Sequence, residues 1–143
     1  MAEPLLVLDA SVALKWFFPK EVGHQRAMHV LTHLTTHPTR FVVPEFFFNE
    51  VLAVLCRSFA ETTTIQTHLR DLEDLGIERI GNGHALLQET ARLARLWRLS
   101  AYDALYVATA SLMGGRWLSA DDKAIAKVRE PSLALSLGAW PLD

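Results

Sequence analysis

An unbroken apolar run comes almost at the chain's start. Pro4-Leu5-Leu6-Val7-Leu8 shows no alternation and breaks abruptly at Asp9, before Ala10-Ser11. Such a run reads as a short strand buried on both faces, as in the middle of a parallel sheet. Phe41-Val42-Val43 repeats the pattern. Weaker strand candidates are Ile77-Glu78-Arg79-Ile80, Arg116-Trp117-Leu118-Ser119 and a last segment from Leu133 to Leu137 or Gly138.

Between these runs apolar residues recur every three or four positions, the period of a helix with one buried face. Val12, Trp16 and Phe17 mark a helix from Ser11 to Phe18, closed by Pro19. Ala27, Val30, Leu31 and Leu34 mark a second, from Glu21 to Leu34. Pro44 opens a third that runs through Leu55 and is apolar nearly all round. A fourth follows Thr62-Thr63-Thr64 and stops at Gly76, and a fifth spans His84 to Leu99. Ser100-Ala101-Tyr102-Asp103 is a capping box that starts a sixth, ended by Gly114 and Gly115. The seventh runs from Lys123 to Arg129 and stops before Pro131. Strands alternating with helices long enough for right-handed crossovers predict an α/β protein: three layers, α/β/α, around a central parallel sheet.

Length and charge narrow the function classes. The 143 residues are expected to form one domain over 1–143 with a sizeable core. Fourteen Lys and Arg against sixteen Asp and Glu leave a net charge of −2, which argues against a broad cationic grip on nucleic acid. That balance leaves room for a nuclease that holds phosphate through metal ions and a few local cations. The chain has no basic segment ahead of an apolar stretch and no run of membrane-spanning length, so the cytoplasm is the expected compartment and a membrane is not an expected partner. The single cysteine, Cys56, rules out an internal disulfide, and its neighbours Val51, Leu52, Val54 and Leu55 suggest a buried, inert thiol. No glycine-rich dinucleotide or nucleoside triphosphate loop is present.

The polar residues that interrupt this pattern are the candidates for chemistry. His24, His29, His33 and His37 have helical spacing but no HExxH arrangement, and read as solvated helix histidines. Arg92, Arg95 and Arg98 recur at three-residue steps, which reads first as a solvated face and second as a contact for RNA phosphate or an acidic partner. Asp9 either closes a buried strand at a ligand-binding edge or caps the next helix. Glu50 sits among Phe and Leu residues, where a carboxylate is costly to bury unless compensated; its bland alternative is a surface position near Arg57. Asp103 has a complete explanation in its capping box. In Ser119-Ala120-Asp121-Asp122, Ser119 can cap and Asp122 holds the reciprocal position, which leaves Asp121 without a structural duty and assigns the chemistry to it. In a parallel three-layer domain Asp9, Glu50, Asp103 and Asp121 can converge at the carboxyl edge of the sheet. Close carboxylates repel, and a divalent cation suited to oxygen ligands, Mg²⁺ or Mn²⁺, relieves that repulsion.

With these residues in view the sequence resembles the PIN-domain family, and within it the VapC-type toxins of toxin–antitoxin pairs. The resemblance is carried by Val7-Leu8-Asp9-Ala10-Ser11, Pro44-Glu45 leading to Asn49-Glu50-Val51, Ser100-Ala101-Tyr102-Asp103-Ala104-Leu105-Tyr106, and Leu118-Ser119-Ala120-Asp121, in the family's order and over essentially the whole chain. It implies an endoribonuclease that uses Mg²⁺ or Mn²⁺ held by Asp9, Glu50, Asp103 and Asp121, with Ser119 supplying a hydroxyl where the family often has Thr. It also implies attack by metal-activated water, leaving a 5′-phosphate and a 3′-hydroxyl. Its partners would be an RNA substrate, a second copy in a homodimer, and a cognate VapB-type antitoxin whose C-terminal segment covers the acidic groove. Phe46 to Phe48 are expected at such an interface. Lys15 is a candidate phosphate contact and Asp122 a candidate second-ion ligand, although capping is the better reading of Asp122. Two rivals remain open: a non-catalytic PIN-like interaction domain, and a structure-specific DNA nuclease, since the acids themselves do not read a 2′-hydroxyl.

Overall fold

The structure, a computed structural model, describes residues 3–141. Its centre is a five-stranded, all-parallel sheet in the order β3-β2-β1-β4-β5, flanked by helices in three α/β/α layers. The strands are β1 (Leu5–Leu8), β2 (Phe41–Pro44), β3 (Glu78–Ile80), β4 (Gly115–Ser119) and β5 (Ala134–Ser136). Between them run α1 (Ala10–Phe17), α2 (His24–Thr36), α3 (Phe46–Ser58), α4 (Thr62–Glu73), α5 (His84–Trp97), α6 (Ala101–Met113) and α7 (Asp122–Ile125). The apolar run Leu5–Leu8 is the central strand. It pairs with β2 through Leu6↔Phe41 and with β4 through Leu5↔Gly115 to Leu8↔Leu118, and Leu6, Val7 and Leu8 are buried.

The chain leaves β1 in one direction to build β2 and β3, then returns through α5 and α6 to build β4 and β5 on the other side. The connections following β1 and β4 therefore diverge, which opens a crevice beyond their carboxyl ends. Helix α6 packs on β1, β2 and β4, and every residue from Ala104 to Ala110 is buried. Its alanines keep its surface thin enough to sit close to the sheet. Gly115 serves the same purpose in β4: a Cβ there would stand 2.6 Å from the Leu5 carbonyl oxygen, closer than real side chains come. No helix among the described residues is long and apolar enough to cross a membrane.

Several boundaries differ from expectation. Pro44 ends β2, paired in register with Ile80, instead of opening α3. The second helix begins at His24, after Gly23 at φ 87°, and not at Glu21. Cys56 is exposed, because Phe47, Val51 and Leu55, four apart, supply the buried face of α3 and Cys56 lies a further 100° round the helix. The histidines are engaged and not simply solvated. His24 Nδ1 lies 2.6 Å from the Lys15 carbonyl, Arg40 Nη1 lies 2.7 Å from His33 Nε2, and the rings of His33 and His37 stack at 4.5 Å.

Candidate functional site

Asp9 is the first residue beyond β1, and its backbone N–H extends the ladder to the Leu118 carbonyl at 2.9 Å. Extended at φ −79°, ψ 147°, it is the N-cap of α1: Oδ2 accepts from the Ser11 N–H at 2.8 Å. Its other oxygen, Oδ1, accepts from the Trp117 indole at 2.8 Å. Asp9 thus caps α1 and stands at the carboxyl edge of the sheet at once. Only 7% of it is exposed. That burial pushes its carboxyl above the usual range; the two donors pull it down, and the charge of Asp103 pushes it up again.

Glu50 lies in α3, after β2, and is half-buried. Its partner is Tyr106, not Arg57: the phenol donates to Oε1 at 2.6 Å. Burial raises the Glu50 pKa most, Tyr106 opposes that rise, and the charges of Asp9 and Asp103 add to it. The Tyr106 hydroxyl is itself held protonated by burial and by the charges of Asp9 and Glu50.

Asp103 stands in the first turn of α6, where Ser100 Oγ accepts from its N–H at 3.1 Å. Its pKa is raised by burial and then by the charge of Asp121, with Ser100 and Lys127 opposing. The expected arrangement after β4 is corrected. Asp121, not Ser119, is the N-cap of α7, its Oδ1 accepting from the Ala124 N–H at 3.1 Å. Asp122 plays no reciprocal part; its Oδ1 accepts from the Ser136 hydroxyl at 2.6 Å. The reason is register: β4 pairs with β5 as far as Ser119↔Ser136, so the helix cannot begin until two residues later.

The loop is fixed by two hydroxyls. Ser119 Oγ, fully buried, accepts from the Asp121 N–H at 3.0 Å, Ser11 Oγ accepts from the Ala120 N–H at 3.0 Å, and the two oxygens lie 3.3 Å apart. A small cleft of about 300 Å³ between α1, α3 and this loop includes Ser11, Lys15, Ala120 and Asp121 in its wall. Lys15 is spoken for there, donating to the Val22 carbonyl at 2.7 Å and pairing with Glu21 at 3.4 Å.

The fold thus carries all four acids to the carboxyl edge of the sheet, and their charges act on one another: Asp103 on Asp9 and Glu50, Asp9 on Glu50, Asp121 on Asp103. Among the described residues no three His, Cys, Asp or Glu side chains form a ready-made metal cage. Trp117, Tyr106 and Ser11, which orient the acids or their loop, were not singled out by sequence reasoning. Ser11 and Tyr106 stand within the motifs that carry the resemblance, while the signal for Trp117 was a polar atom inside an otherwise apolar strand pattern.

Elsewhere, Phe47 is core, while Phe46 stacks on Tyr102 at 4.6 Å and Phe48 lies under the Arg79 guanidinium at 3.7 Å. Arg92 is held by Glu89 through Nε at 2.7 Å and Nη2 at 2.9 Å. Helix α5 ends at Trp97, so Arg98, at φ 55°, turns out of the expected arginine stripe.

A layered parallel sheet with acids at its carboxyl edge defines a class, and the comparisons narrow it. The family model of the PIN domain matches residues 6–131, and the chain belongs to that family. No curated protein matches it in sequence. Among solved structures it is similar to FitAcB from Neisseria gonorrhoeae, with 14% identity over 94% of this chain and 99% of that one and a TM-score of 0.72. It is also similar to VapBC2 from Rickettsia felis bound to a promoter DNA fragment, with 10% identity, 92% and 98% coverage and a TM-score of 0.71. A toxin–antitoxin complex from Klebsiella pneumoniae gives 16% identity, 93% and 97% coverage and a TM-score of 0.68. At these identities the likeness is one of fold.

Proposed function

We propose that the chain, as a single PIN domain over 1–143, is the metal-dependent endoribonuclease toxin of a type II toxin–antitoxin pair, acting on RNA phosphodiesters in the cytoplasm. What carries this reading is the placement of Asp9 after β1, Glu50 in α3, Asp103 in the first turn of α6 and Asp121 after β4. Asp103 is near enough to raise the pKa values of Asp9 and Glu50, and Asp121 near enough to raise that of Asp103. We assign the binding of Mg²⁺ or Mn²⁺ to these four. An all-oxygen donor set suits those ions, and Mg²⁺ commonly keeps several waters while taking one or two carboxylates plus substrate phosphate, so acids spaced wider than a closed cage still fit. Such an ion would supply a water activated as nucleophile and neutralise charge on the phosphodiester. The protein's own part is orientation. Trp117 and Ser11 fix the Asp9 carboxylate, Tyr106 fixes Oε1 of Glu50, and the Ser11–Ser119 pair holds the loop that carries Asp121.

The solved toxin–antitoxin complex of the same fold supports an antitoxin as partner; that it is of the VapB type and lays its C-terminal segment over the acidic groove is part of this proposal. A homodimer is part of the same proposal, and half-buried Phe46, stacked on exposed Tyr102, together with half-buried Phe48 is the candidate interface.

A second reading, the non-catalytic interaction domain, draws on the structural duties of Asp9 and Asp121, which cap α1 and α7. One experiment separates the two: purified wild type, Asp9→Asn and Asp121→Asn are incubated with matched RNA and DNA oligonucleotides in Mg²⁺ or Mn²⁺. The toxin reading expects RNA cleavage by wild type alone, with 5′-phosphate ends. Cleavage of DNA alone would move the chain to the DNA nucleases, and no cleavage by wild type would leave the interaction domain.

A further inference from the structure

Beyond the acidic crevice, the end of α5 and the turn after α7 enclose a cleft of about 630 Å³ lined by Leu96, Trp97, Arg98, Ala126, Lys127 and Arg129. Three of the six are cationic and none is acidic. Lys15, Arg40, Arg79 and Arg92 each pair with a carboxylate. Arg98, Lys127 and Arg129 make no ion pair among the described residues, and all three are exposed. On a chain of net charge −2 an uncompensated cationic cluster in a concave site is a local trap for an anion.

We propose that this cleft receives the phosphodiester backbone of single-stranded RNA and feeds it toward the acidic crevice, an assignment that rests on the ribonuclease reading above. Two observations favour RNA over an acidic peptide. The cleft adjoins the candidate site: Arg98, the C-cap of α5, lies two residues before Ser100, the N-cap of α6 whose Oγ accepts from the Asp103 N–H at 3.1 Å, and Lys127 Nζ reaches the Arg98 carbonyl at 3.4 Å, bridging the two walls. The walls are also partly apolar. Trp97 is half-buried and Leu96 is 58% exposed, which offers an unpaired base a flat surface beside the cations that hold its phosphates. The left-handed backbone at Arg98 is what turns this guanidinium away from the α5 stripe toward the cleft residues.

The test is binding, followed by fluorescence anisotropy of an end-labelled 15-nucleotide single-stranded RNA, with Ca²⁺ in place of Mg²⁺ and salt as the variable. The variant is Arg98→Gln/Arg129→Gln. Arg57→Gln/Arg70→Gln, equal in charge change and on exposed positions of α3 and α4, is the control. Thermal melts establish that both variants fold. The cleft variant should bind about tenfold more weakly and lower the slope of log Kd against log salt by about 1.4, or 0.7 for each lost phosphate contact; the control should bind nearly as wild type does. Equal weakening in both variants, unaltered binding in the cleft variant, or no RNA binding by wild type would each overturn the proposal. So would a polyglutamate peptide that binds wild type as tightly as RNA and loses as much in the cleft variant, since the cleft would then read charge for an acidic protein. The parent reading fails separately: wild type that binds RNA through this cleft but does not cut it in Mg²⁺ or Mn²⁺ keeps the cleft and loses the ribonuclease.

Discussion

The indole N–H of Trp117 and the carboxylate of Asp9 meet at 2.8 Å across the β1–β4 pairing. Val7 lies opposite Trp117, and Asp9, two residues further on, points to the same side of the pleat. A buried aromatic side chain thereby holds the acid on which the site is centred. Replacing Trp117 with Phe removes a charge-assisted hydrogen bond inside the core. The expected loss is about 1–3 kcal/mol in urea unfolding at pH 7.5, and it should be smaller at pH 4.5, where more of Asp9 is protonated. A loss equal at both pH values would mean that only packing had changed.

Asp9, Glu50 and Asp103 all have pKa values raised in the folded protein, first by burial. The folded state then binds more protons than the unfolded state over the interval between the two sets of pKa values, so stability falls as pH rises through it. In EDTA the melting temperature should decline from about pH 4 toward neutrality. Asp103→Asn should flatten that decline. Added Mn²⁺ should offset it increasingly with pH, because ligands must be deprotonated to bind.

Tyr106→Phe deletes the donor that holds Glu50 Oε1. Because that hydrogen bond lowers the Glu50 pKa, its loss should move the acid limb of the kcat/KM profile for RNA cleavage to higher pH. A profile that drops in height without moving would assign the phenol a packing role only.

The two neighbouring aspartates should behave differently. Ser119→Ala frees the N–H of Asp121 and, like other losses of groups that orient a ligand, should weaken Mn²⁺ binding by about 10–100-fold in calorimetry. Asp122→Asn should leave it close to wild type, since that carboxylate is occupied with Ser136.

Gly115→Ala would force a methyl group against the Leu5 carbonyl in the central strand pair. Backbone cannot give way as a flexible side chain does, and the expected cost is about 3 kcal/mol of unfolding free energy, measured by denaturant titration.

The sequence by itself determined the layers. Unbroken apolar runs at Leu5–Leu8 and Phe41–Val43 have nowhere to go but the inside of a sheet covered on both faces, and the 3.6-residue period between runs supplies the cover. It also singled out Glu50, a carboxylate that interrupts an apolar run and is costly to bury without a partner, and Asp9 at the end of one. Asp103 and Asp121 stood out only through their capping motifs and the family resemblance. What those acids touch was decided only in three dimensions. A strand pattern does not reveal that Trp117 reaches Asp9 from 108 residues away, nor a helix pattern that Tyr106, and not Arg57, answers Glu50. The exchange of roles between Asp121 and Ser119 followed from how far β4 pairs with β5, and the exposure of Cys56 from which face of α3 met the core. Local patterns fix periods and turns because they depend on neighbours in the chain; partners depend on register and packing, which exist only once distant segments have come together.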